Sequence, residues 1–185
     1  MTLRQMLYHS AASDAGDEVR VIAPDLPVMP LEAMEMLRQL AADEQPDLIL
    51  GTSMGAFYAE QLRGFRRILV NPSFQMARLL TFGGMGRREF RNKRADGAHD
   101  FKVDKEMIAQ LRTLEKESFK GIDAEEKGRV WGLFGDKDKK VNHQKDFIKH
   151  YGREHFIVFD GEHFLNDKVL SRSVLPVVRQ VLGLS

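Results

Sequence analysis

The chain has 185 residues, 43% hydrophobic and 30% charged, with a formal net charge of +1 and no cysteine. That balance excludes a disordered polyelectrolyte and supplies enough apolar material for one domain with a substantial core. It offers no global field for nucleic acid or an anionic membrane surface, and the missing thiols remove disulfides, thiolate metal sites and a cysteine nucleophile.

The start, Met1-Thr2-Leu3-Arg4-Gln5, lacks the apolar run of a signal peptide, and no stretch has the length of a membrane-spanning helix. Neither repeats nor low-complexity segments occur. The expectation is a cytoplasmic, soluble protein with one domain over residues 1–185.

In chain order, β-rich runs end in turn residues. Val19–Ala23 stops at Pro24, Asp47–Leu50 runs into Gly51, and Arg67–Val70 runs into Asn71-Pro72. Arg129–Phe134 then leads to Gly135, and His155–Phe159 leads to Asp160-Gly161. Apolar runs without alternation suit strands buried on both faces of a parallel sheet.

Helical patterns lie between them. Leu31, Met34, Leu37 and Leu40 follow one helix face, and Ser53–Leu62, Lys105–Glu117, Asn142–Tyr151 and Leu170–Leu182 read similarly. Alternating strands and helices predict an α/β fold with helices on both faces of a mostly parallel sheet.

The stretch from Ser73 to Lys127 exceeds a simple crossover. It holds Gly83-Gly84-Met85-Gly86 and the basic residues Arg87, Arg88, Arg91, Lys93 and Arg94. The expectation is a lid insertion at about 74–127 over the carboxyl ends of the strands.

Gly51-Thr52-Ser53-Met54-Gly55 fits the G-x-S-x-G elbow that projects a serine from a strand-to-helix turn. Leu48-Ile49-Leu50 supplies the strand and Ala56–Leu62 the helix. Gly51 and Gly55 are expected to let helix and strand approach closely. A serine at its ordinary pKa is a weak nucleophile and needs a base, which in turn needs an orienting acid.

The order serine, acid, histidine selects His163, in the loop after the last strand. His155 opens that strand, and His143 and His150 lie on a helix face expected to be solvated. For the acid, Asp138 is favoured over Asp136, which could instead hydrogen-bond within the turn.

With these residues assembled, the sequence resembles the YqiA-type small esterases of the α/β-hydrolase superfamily. The matching segments are Val21–Pro27, Gly51–Ala59, Leu69-Val70-Asn71-Pro72-Ser73, Asp138–Asn142 and Val158–Phe164, in the family's order. The resemblance implies a three-layer α/β-hydrolase-like fold and hydrolysis of small acyl esters or thioesters through an acyl-enzyme. Ser53 would be the nucleophile, His163 the general base and then acid, and Asp138 its orienter. The Met54 amide would donate to the oxyanion.

One feature departs from the family. Its members begin with a strand running into a His-Gly loop that supplies the second oxyanion donor. Aligning Leu7-Tyr8-His9-Ser10-Ala11 with it leaves only Ala12–Glu18 before the next strand, short for a parallel crossover of about a dozen residues. The preferred reading is a helix with Thr2 as N-cap, Leu3, Met6, Leu7 and Ala11 on one face, and Gly16 after it. The first strand and loop would then be missing. An alternative function follows, a catalytically impaired hydrolase fold that binds a small ligand or partner.

Other signals are weaker. The Gly83–Gly86 turn lacks the Gly-Lys-Ser/Thr of a phosphate loop, and the Arg87–Arg94 cluster reads as solvated before it reads as an anion site. His99 with Asp96 and Asp100 is not taken as a metal site. Phe74, Met76, Leu79, Leu80 and Phe82 fit an acyl pocket or core packing equally. No cofactor, metal or nucleic acid is expected; a homo-oligomer stays open.

Overall fold

The computed structural model describes residues 19–184. Helix α1 (Pro30–Glu44) precedes strand β1 (Ile49–Thr52), helix α2 (Met54–Glu60) and strand β2 (Arg67–Val70). Helix α3 (Met76–Phe82), a hairpin of β3 (Gly86–Glu89) and β4 (Asp100–Val103), and helices α4 (Lys105–Glu115) and α5 (Ala124–Gly128) follow. The chain continues through β5 (Val130–Gly135), α6 (Gln144–Tyr151) and β6 (Phe156–Phe159). It ends in α7 (Asp167–Val169), a π turn over Leu170–Val174, and α8 (Leu175–Leu182).

Helix boundaries follow local chemistry. Pro30 opens α1, where its missing N–H costs nothing, and Gln45 closes it in the left-handed conformation. Asp104 and Asp123 cap α4 and α5 by accepting the amides of Met107 and Glu126 at 3.0 and 2.8 Å. The buried stripe of α1 is Ala33, Met34 and Ala41, with Leu31 turned outward, one position away from the expected face.

The main sheet is parallel throughout, in the order β1-β2-β5-β6. Ile68, Val70 and Leu133 face Val174, Val177, Val178 and Val181 on one side. Leu69, Val130 and Phe134 face Ala56 and Ala59 of α2 and Phe147 and Tyr151 of α6 on the other. Burial on both faces explains why these strands read as continuous apolar runs. A further cluster joins Met34 of α1, Phe57 and Tyr58 of α2, Met76 of α3 and Met107 and Leu111 of α4. The segment after β2 is thereby packed onto the outer surface of α2.

Val19–Ala23 is not a strand, contrary to expectation; it is irregular chain. Its apolar side chains are used without a ladder: Val19 and Val21 pack against the buried cluster that holds Ile68, Val70 and Leu133. A strand also needs a ladder partner, and β1 ends the sheet among the described residues. The β3–β4 hairpin was not anticipated. The first helix or strand and the His9 loop lie outside the described residues. Among the described residues no helix is long and apolar enough to cross a membrane.

Candidate active site

The carboxyl ends of β1, β2, β5 and β6 deliver the site. Ser53 stands between β1 and α2 with φ 53° and ψ −115°, a conformation that costs a non-glycine residue about 1–3 kcal/mol. The surrounding backbone holds it there. The Ser53 amide donates to the Val70 carbonyl at 3.0 Å, while the Ser53 carbonyl accepts the amides of Phe57 and Ser73, each at 3.2 Å.

Close approach at the elbow depends on Gly51 alone. A Cβ there would lie 2.6 Å from the Ala56 nitrogen and closer still to the Gly55 carbonyl, whereas a Cβ on Gly55 meets nothing within 4 Å. The expectation that both glycines are sterically required is corrected accordingly. Gly51→Ala is expected to cost more than about 3 kcal/mol by overpacking against backbone. Gly55→Ala, inside a helix, should be neutral or stabilising by up to about 1 kcal/mol. Denaturant melts of the two variants check this contrast.

The loop after β6 carries His163, and the loop after β5 carries Asp138. His163 Nε2 is 2.9 Å from Ser53 Oγ, and His163 Nδ1 is 2.7 Å from Asp138 Oδ2. Both side chains are almost fully buried, with 7% and 3% exposure. An ionised carboxylate can only accept, so it draws the proton to Nδ1 and leaves Nε2 free to accept from the serine hydroxyl. Asp138 Oδ1 accepts the amides of Lys140 and Val141 at 2.9 and 3.0 Å, which fixes the carboxylate plane.

Asp136, the competing acid, turns away from the imidazole. Its Oδ1 accepts the Gly161 amide at 3.0 Å, so it ties the β5 loop to the histidine loop. The bond crosses between loops instead of closing within the turn.

Two further residues had no role assigned from sequence. Asn71, buried and at φ 45°, accepts the Gly135 amide at 2.7 Å and donates to the Glu162 and His163 carbonyls at 3.0 and 3.1 Å. One side chain thus joins the ends of β2 and β5 to the histidine loop. Ser73, also buried, places its hydroxyl 3.2 Å from Ser53 Oγ. When Ser53 donates to His163, Ser73 is left as the donor in that contact. The signal for both lay in the Asn71-Pro72-Ser73 turn just past a buried strand.

Asn71→Asp keeps the acceptor and a side chain tolerant of positive φ but removes both donated bonds. Stability should fall by about 1–3 kcal/mol through the two unpaired carbonyls, and kcat by about 10-fold as His163 loosens. Thermal unfolding and steady-state kinetics measure the two effects separately.

The remaining candidates fall as follows. Met54 is the first residue of α2, so its amide has no acceptor within the helix and lies next to Ser53. His143 and His150 are not simply solvated. His143 bonds Asp146 at 2.8 Å and meets Phe74 edge-on, while His150 stacks on Phe119, where burial lowers its pKa. His155 stacks on Trp131. Asp96 and Asp100, the neighbours of His99, are engaged with Arg94 and Arg87.

Phe74 and Met76 belong to the core, and Phe82 is exposed. A cavity of about 310 Å³ flanks β1, lined by Leu26, Leu37, Leu48, Leu50, Thr52 and Leu62. It reaches Gly51 and Gly55 behind the elbow but is lined by neither Ser53 nor His163.

Residues 4–174 match the model of the uncharacterised protein family UPF0227. The chain belongs to this family. Comparison with curated proteins yields no sequence match. Among solved structures, the chain is similar to Est1E from Butyrivibrio proteoclasticus at 15% identity and TM-score 0.50, covering 84% of this chain and 70% of that one. Mouse alpha/beta hydrolase domain-containing protein 10 matches at 12% identity and TM-score 0.50, with 84% and 70% coverage. One of LipS and LipT, two metagenome-derived lipolytic enzymes, matches at 16% identity and TM-score 0.51, with 80% and 71% coverage. At these identities the likeness establishes the fold, α/β-hydrolase-like.

Proposed function

We propose that the protein hydrolyses carboxylic acyl esters or thioesters through an acyl-enzyme on Ser53. The observation that carries this reading is the unbroken hydrogen-bonded line from Ser53 Oγ through His163 to Asp138. Serine, base and orienter stand within hydrogen-bond reach, the arrangement nucleophilic acyl transfer requires.

In the forward step Ser53 Oγ bonds to the acyl carbon as its proton passes to His163 Nε2. Asp138 stabilises the resulting imidazolium without taking the proton. The carbonyl oxygen becomes an oxyanion facing the Met54 amide, at the amino end of α2 where the helix dipole favours negative charge. Collapse breaks the bond to the alcohol or thiol, and His163 returns the proton to that leaving group. Water then repeats the sequence on the acyl-enzyme and releases the acid.

A fluorophosphonate probe tests the reading at its first step. Mass spectrometry is expected to find one adduct, on Ser53, absent from Ser53→Ala. Folded wild-type protein that stays unlabelled, with no ester turnover, would defeat it.

A further inference from the structure

Phe164 follows the imidazole directly in the chain and is 44% exposed. Its ring stands edge-on to that of His163, with the centroids 5.0 Å apart. Two cations converge on it. The Arg91 guanidinium carbon is 3.4 Å from the Phe164 centroid, and the Lys140 ammonium is 4.3 Å away. Cation–π attraction holds them there but leaves both charges in place.

Neither side chain has a carboxylate partner among the described residues, in contrast to Arg87 and Arg94. Arg87 pairs with Asp100, Arg88 donates to the Leu80 and Gly84 carbonyls, and Arg94 binds Asp96 and the Leu26 carbonyl. Two of the nearby acids are committed elsewhere, Asp138 to His163 and Asp160 to Lys137.

The two cations are also positioned in advance. The Lys140 amide donates to Asp138, so the turn that holds the acid holds this lysine as well. Arg91 is flanked by anchored residues. The Phe90 amide donates to the His99 carbonyl, Arg94 lies over the Phe90 ring, and the Ala95 amide donates to Asp25. Two like charges brought together against one ring, unneutralised, favour a bound counter-charge. A guanidinium stacked on a ring keeps its N–H edge free for a planar anion.

We propose that Arg91, Phe164 and Lys140 form a receptor for one anionic group, a carboxylate or phosphate, on a short arm of the substrate acylating Ser53. The proposal rests on the esterase reading and narrows it. Because Phe164 adjoins His163, the anion sits about one side chain from the reacting carbonyl. A charge at the far end of a long carrier would fall outside the receptor.

The test compares 4-nitrophenyl hydrogen adipate with its neutral methyl ester, 4-nitrophenyl methyl adipate. A third substrate, the 4-nitrophenyl ester of 5-phosphonopentanoic acid, distinguishes carboxylate from phosphate-like recognition. The ratio of kcat/KM for anionic over neutral ester is expected to be ten or more in the wild type and to fall with added salt. In Arg91→Gln/Lys140→Gln the ratio should drop to about one, while Arg87→Gln retains it. A wild-type ratio near one, or a high ratio that survives the double substitution, overturns the receptor.

Should no ester be turned over, the esterase reading fails by itself. Calorimetry on Ser53→Ala then decides the receptor separately. Methyl hydrogen adipate binding at least tenfold more tightly than dimethyl adipate, with that advantage lost on the double substitution, supports it. Equal binding overturns it.

Discussion

Asp138→Asn is expected to lower kcat by about 10⁴-fold with the fold intact, the size of effect a serine hydrolase suffers when its histidine is held in the wrong tautomer. The direction follows from the two backbone amides at Asp138 Oδ1. They require an acceptor, so an asparagine oxygen would take the Oδ1 place and its NH₂ group would take the Oδ2 place against His163. A donor facing Nδ1 forces that nitrogen to accept, which leaves the proton on Nε2. An Nε2–H cannot receive the Ser53 proton. The geometry survives while the chemistry stops.

Asp136→Asn supplies the internal comparison. Its Oδ1 accepts one backbone amide, from Gly161, and an amide oxygen can do the same. The change should alter kcat by less than about threefold, since it touches no reacting atom. Ester kinetics on the two variants, with thermal unfolding to verify the fold, therefore discriminate between the neighbouring carboxylates. A large loss at position 136 and a small one at 138 would reverse the assignment made from geometry.

The parts of the molecule that sequence revealed are those where local pattern and chain order suffice. Ser53 was legible because a strand, a G-x-S-x-G turn and a helix are contiguous. Asp138 and His163 were legible because each follows a strand end where a loop can reach the elbow. Asn71 was visible as part of a turn, but its function depends on carbonyls and an amide 64 to 92 residues away in the chain. No local signal encodes that meeting.

Misreadings have equally physical causes. Val19–Ala23 has the composition of a strand, yet composition does not supply a ladder. The pairing of Arg87, Arg88 and Glu89 with Asp100, Phe101 and Lys102 buries too little apolar surface to leave a readable alternation. The solvated face expected for His143 and His150 is not found because their ring partners, Phe74 and Phe119, come from distant segments. Arg91 lay within a basic run that looked uniform in sequence; only tertiary contact separates it from Arg87 and Arg94.

Buried charge was wholly hidden, and it carries the largest expected effect on stability. Arg67 opens β2 with no exposed surface; it donates to the Glu60 carbonyl at 2.6 Å and pairs with the Glu126 carboxylate. Glu126 also accepts the Gly64 amide at 2.7 Å. Glu60, equally buried, accepts from the Tyr151 hydroxyl at 2.6 Å, the Phe119 amide at 3.2 Å and Arg63 at 2.9 Å. Burial and then the Glu60 charge push the Tyr151 phenol well above its usual range, so it remains a proton donor. One network thereby joins β2, α2, α5 and α6 at the end of the sheet away from Ser53.

Arg67→Met should leave the Glu126 carboxylate in the interior with only the Arg129 guanidinium, 3.8 Å from it, as a counter-charge, at a cost of about 3 kcal/mol. For a chain of this size that lowers Tm by about 10 °C. Arg67→Met/Glu126→Gln removes that charge while the amide oxygen still accepts from Gly64, so about half of the loss should return. Turnover by the folded fraction should stay within about twofold of wild type in both variants, because the network touches no group around Ser53. A single variant as stable as wild type would mean that the Arg67–Glu126 attraction does no more than offset its own desolvation. A double variant less stable than the single would place the cost in packing around the arginine stem instead of in the stranded carboxylate.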